Sequence, residues 1–80
     1  MEDETIEVTA YSGYRGEERP RAFFIKGEKI GVTELLAAWV EEGPRGGQRR
    51  RVFRLKGTDG HTHILYYDED RGKWGHRPIF

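Results

Sequence analysis

The sequence predicts an α+β domain: a small curled antiparallel sheet or partly open barrel with one amphipathic helix, in the order β-β-β-α-β-β-β. Three observations predict it. Apolar residues alternate with polar ones at period two in the first dozen residues and again after Val52. Gly27 and the Asp59-Gly60 pair sit between such runs as hairpin turns. Val32, Leu35, Leu36, Trp39 and Val40 recur at i, i+3, i+4, i+7 and i+8, the stripe of a helix.

Taken in order, Ile6, Val8 and Ala10 against Thr5, Glu7 and Thr9 read as a strand over residues 5–11. Residues 12–20 hold two glycines and Pro20 among polar residues and read as a loop of about nine residues, longer than the usual four to six. Residues 21–26 and 28–32 flank Gly27 and form a tight hairpin, in which neighbouring Phe23 and Phe24 must face opposite sides. A helix follows over residues 32–42, with Thr33 as N-cap and Gly43-Pro44 as its stop. A glycine- and arginine-rich crossing over 43–51 leads to a hairpin of residues 52–56 and 61–67. After a turn at 68–72 comes a last strand over 73–80, where Pro78 implies an edge or an end.

Eighty residues suffice for one domain, assigned to 1–80 with the first four residues expected to be disordered. A core this small needs nearly every large apolar side chain, so the helix stripe carries much of it, and Trp39→Ala is expected to cost about 3–5 kcal/mol. There is no cysteine, hence no disulfide framework, thiolate metal site or cysteine nucleophile. The acidic start Met1-Glu2-Asp3-Glu4 is the opposite of a secretory signal, and no apolar run approaches the roughly 18 residues of a membrane span. A cytoplasmic protein without membrane contact is the expectation.

Motifs for catalysis are sparse. Ser12, the one serine, has no nucleophile-elbow frame around it. Neither phosphate-cradling glycine pattern occurs. His61-x-His63 is a spacing at which two imidazoles reach one metal, with His76 and Asp59 as further candidates, but the solvent face of a strand is the plainer home for both. Asp68-Glu69-Asp70 lacks the ligand spacing of a calcium loop and reads as a solvated turn. The expectation is a non-enzymatic chain with no metal and no cofactor.

Charge distribution is more informative. Formal net charge is +0 with a pI near 6.8, yet residues 1–18 carry six acids against Arg15, and residues 45–56 carry six cations and no acid. Arg49, Arg50, Arg51, Arg54 and Lys56 are therefore the candidate nucleic-acid-binding residues, with Arg50, Val52, Arg54 and Lys56 on one strand face and Phe53 and Leu55 on the other. Tyrosines nearby offer base stacking. The plain alternative is a solvated face neutralised by the acidic segment or by Glu41 and Glu42. A competing reading is a protein-interaction or self-associating domain, monomer or weak homodimer. It would use the 11–20 loop through Tyr11, Tyr14, Arg15 and Arg19, or an open sheet edge.

A succession of short motifs adds a resemblance: Tyr11-Ser12-Gly13-Tyr14, Glu18-Arg19-Pro20, Phe23 with Gly27, Val32, Leu35-Leu36, Trp39 with Glu41, Phe53 and Leu55, Asp59-Gly60, Leu65-Tyr66-Tyr67-Asp68-Glu69 and Trp74. Over residues 8–76 the chain resembles a group of small uncharacterised bacterial cytoplasmic proteins. The resemblance implies no catalytic residue or cofactor. It implies a weak link, through some similar domains, with lesion-bypass polymerase systems.

Overall fold

The structure, a computed structural model, describes residues 4–12, 18–43 and 48–77. Its six strands are β1 (Glu4–Ser12), β2 (Glu18–Ile25), β3 (Glu28–Glu42), β4 (Arg49–Gly57), β5 (Thr62–Asp68) and β6 (Lys73–Arg77). Each pairs antiparallel with the next, and β6 returns to β1 to close the barrel. The α+β expectation is thereby corrected to all-β: among the described residues there is no helix, and residues 32–42 continue β3.

Two β-bulges explain the misleading stripe. Val32 faces Gly57 and Glu34 faces Lys56, so Thr33 is an extra residue; Leu35 faces Leu55 and Ala37 faces Arg54, so Leu36 is another. Each insertion stretches a period of two to three. The inward positions become Ile30, Val32 and Leu35, followed by Ala38, which faces Phe53 in the ladder but is exposed; the spacing passes for a helix turn. Leu, Ala and Trp favour helices in isolation, and pairing with β4 overrides that weak preference. Thr33 is accordingly no N-cap; its hydroxyl donates to the Lys56 carbonyl at 3.0 Å.

The remaining strands lie close to their expected positions. The β2–β3 turn is the two residues Lys26 and Gly27, with φ of 51° and 80°, the left-handed pair that matches strand twist. β2 begins at Glu18, earlier than the expected loop allows. β6 is not an edge, since it pairs with both β5 and β1; Pro78 and the two residues after it lie outside the described residues.

Phe23, Ile30, Phe53, Leu55 and Leu65 form the buried core, with Ile6, Val8, Ile25, Val32, Leu35 and Trp74 packed around it. Core weight thus sits on β2, β4 and β5 rather than on residues 32–42. Trp39 is 37 % exposed, and Leu36 and Val40 more so. The barrel is also unevenly closed. Among the described residues β1 joins β6 only through 4–6, and β2 joins β3 only through 22–25 and 28–31. Among the described residues no helix is long and apolar enough to cross a membrane.

These positions reorder the expected mutational costs. Phe23, with no exposed surface, should lose about 3–5 kcal/mol on truncation to alanine, and Trp39→Ala about half of that. Urea unfolding of the two variants measures the difference; a larger loss at Trp39 contradicts the packing.

Candidate functional site

Directly opposed residues of an antiparallel pair share a face. Because Phe53 and Leu55 point into the core, Arg50, Val52, Arg54 and Lys56 point outward, as the pleat requires. Across the ladders this face continues through Trp39 beside Val52, then Tyr66, then Gly75. Val52 is fully buried in the middle of that row although it lies outside the barrel.

Tyr66 leans over Gly75 so closely that a Cβ there would stand 2.3 Å from the ring carbon Cζ. The Arg50 guanidinium lies 4.8 Å and the Arg77 guanidinium 5.4 Å from the Tyr66 ring centre, both within cation–π range. Arg77 donates from Nη1 and Nη2 to the two carboxylate oxygens of Glu41, each at 3.0 Å. The Trp39 indole N–H donates to the same carboxylate at 2.9 Å. Those bonds, Arg77 first and Trp39 second, hold the Glu41 carboxyl down at about 2.

The candidate cations therefore divide. Arg49 is drawn to Glu69 at 3.6 Å. Arg50 is half-buried against Tyr66. Arg51 belongs to the other face, beside Phe53, Tyr67 and Trp74. Arg54 and Lys56 are exposed, and among the described residues neither forms an ion pair. Of the candidate interaction loop, Tyr14 and Arg15 lie outside the described residues. Tyr11 is known as the strand partner of Arg19, and Arg19 is exposed. Trp39, Glu41, Arg77 and Gly75 were not singled out as site residues in the sequence; the Trp39-x-Glu41 spacing, one strand face, was the available signal.

A second polar cluster occupies the barrel interior near the β4–β5 turn. His63 is buried and His61 is exposed just before β5, so the expectation of two histidines on a solvent face is corrected. His63 Nε2 lies 2.9 Å from Asp59 Oδ2, and its Nδ1 lies 3.1 Å from His76 Nε2. A carboxylate only accepts, which assigns the His63 proton to Nε2 and makes Nδ1 the acceptor of the His76 Nε2–H. The His61 backbone N–H on Asp59 Oδ1, at 3.0 Å, and then the His63 bond lower the Asp59 carboxyl. Gly57 makes room for it, since a Cβ there would meet Asp59 Oδ1 and Ile30 at 2.7 Å. Phe23 packs edge-on against His63 at 5.0 Å. Among the described residues no group of three His, Cys, Asp or Glu side chains is arranged to hold a metal ion. Asp68, expected in a solvated turn, is buried and accepts the N–H groups of Asp70 and Arg71, closing its turn.

Two outcomes follow from the outer face. A Glu41 carboxyl held below its ordinary 4.5 contributes stability above pH 4.5 that is lost as pH falls toward about 2. Glu41→Gln should cost about 1 kcal/mol at pH 7 after solvent screening, and thermal melts across that window should show a flatter acid limb than the native chain. Gly75→Ala should cost about 1–3 kcal/mol by pushing Tyr66 off its seat, and Tyr66→Ala in the same chain should recover part of the loss. Additive losses in the double mutant would contradict that contact.

Searches of curated proteins and of solved structures find no match. A family match spans residues 1–78, which covers all six strands and both clusters, and the chain belongs to the DUF6504 family, a domain of unknown function.

Proposed function

We propose that the barrel is a non-enzymatic binding module for single-stranded nucleic acid, engaged through the outer face of the β3–β4 hairpin. The observation that carries this reading is that exposed Arg54 and Lys56 share one face with Arg50 and the half-exposed indole of Trp39. Cations neutralise phosphates and release counterions, and an indole at strand spacing offers a base a stacking surface. Glu41 restrains the same indole, so the platform is pre-set rather than formed on contact.

Arg49 and Arg51 are secondary in this reading, one being drawn to Glu69 and the other facing away. With zero net charge the chain lacks a global basic field, so recognition is local and weak at physiological salt. Fluorescence anisotropy with a labelled oligothymidylate should show binding at low salt with a log–log salt slope of about −2, the value for roughly three single-strand phosphate contacts. Arg54→Glu with Lys56→Glu should abolish it, and Trp39→Ala should weaken it at unchanged slope. No binding at low salt would sink the proposal.

A further inference from the structure

The β2–β3 seam ends abruptly on the far side of Ala22 and Gly31, and the cause is in both strands. In β2, Thr9 faces Ala22 and Ala10 faces Pro20, leaving Arg21 as a bulged residue. In β3, Thr33 is bulged at the matching level. Bulges bend their strands and interrupt pairing, and Pro20 has no N–H to offer a ladder. Two bulges and a proline at one level part the β1–β2 hairpin from the distal part of β3. A cleft of about 450 Å³ opens there, lined among the described residues by Arg19, Pro20, Arg21 and Val32.

Both walls of the split are strand edges. Among the described residues, 18–21 of β2 pair only with β1, and 32–42 of β3 pair only with β4. The described lining has two exposed arginines, of which Arg21 also engages another group, with an apolar Pro20 and Val32; exposed Glu34 lies two residues beyond the lining.

We propose that this cleft receives an extended peptide segment of a partner protein with alternating acidic and apolar side chains, added as a strand beside β3. A strand edge recognises a peptide backbone through its own N–H and C=O groups, a complement that a nucleic acid lacks. β3 supplies the ladder because, although Thr33 and Leu36 bulge, every residue beside the cleft keeps its N–H, which Pro20 in the β2 wall lacks. Alternate side chains of the incoming strand fall to opposite sides, so acids meet Arg19 and Arg21 while apolar residues settle on Pro20 and Val32. Unprotected edges are otherwise an aggregation hazard, and over residues 35–40 β3 carries none of the charges or prolines that commonly guard one. This site is the free edge of β3 beside the cleft, next to the outer face where Glu34 stands opposite Lys56, and it does not depend on the nucleic-acid reading.

The probe is a fluorescein-labelled nonapeptide of alternating Glu and Val, titrated against the whole chain. It should bind, while a Lys/Val counterpart and a version with proline at its centre should each bind at least about tenfold more weakly. Arg19→Glu with Arg21→Glu should reverse the preference toward the Lys/Val peptide, with a melting curve confirming the fold; if that variant does not fold, Arg19→Gln alone should still weaken the acidic peptide. Lys73→Glu, an exposed charge reversal at the far end of the barrel where Lys73 faces Asp68, should leave peptide affinity within about twofold, because distant sites act independently. Amide exchange should slow along residues 33–36. Failure of the acidic peptide to bind at millimolar concentration, equal binding of the proline version, or loss of peptide binding in the Lys73 variant overturns the proposal. So does a sedimentation result in which the chain dimerises and the peptide competes with that dimer, which would give the cleft to a second copy.

Discussion

The pairing of β3 with β4 is the interaction on which the rest of the structure depends. It is the longest ladder in the barrel, and its register places Leu35 over Leu55 inside while setting Trp39 beside Val52 outside. The two bulges in β3 let one strand serve two sheets: its first residues pair with β2, and beyond the first bulge it pairs with β4 alone. Local irregularity, not a separate element, gives this small barrel its distinct surfaces.

Strand positions were legible in the sequence wherever alternation ran undisturbed. Phe53 and Leu55 were placed inward and Arg54 and Lys56 outward from the pleat alone, because no bulge interrupts β4. The Lys26-Gly27 turn was legible because glycine there answers a positive φ. Residues 32–42 were not, since a bulge shifts the phase of alternation and two of them in close succession counterfeit a helical period. Trp39 was read as core for the same reason. Choosing between the two readings needs the partner strand, whose register against β3 the one-strand pattern does not carry.

The outer cluster shows how a neutral chain holds cations on one face. Glu41 engages Arg77 and the Trp39 indole together, and Tyr66 lies near the guanidinium groups of both Arg77 and Arg50. The basic run visible in the sequence is therefore not a uniform patch. Part of it is architectural, Arg50 lying over Tyr66 of β5 beside the Glu41–Arg77 pair that ties β3 to β6, while Arg54 and Lys56 remain exposed. No sequence pattern distinguishes the two roles, because Glu41 and Arg77 are 36 residues apart.

The closing seam between β1 and β6 has a consequence for how the chain assembles. Every other pairing joins consecutive strands, so five of the six junctions form between near neighbours in sequence at small loop-closure cost. The sixth joins the first strand to the last, among the described residues through 4–6 and 74–76. The barrel is thus a meander whose ends meet at its shortest described seam, and that junction carries the largest loop-closure cost. Ile6 and Trp74, paired across it, both pack on the core, so the seam that makes the fold circular also covers part of what it encloses.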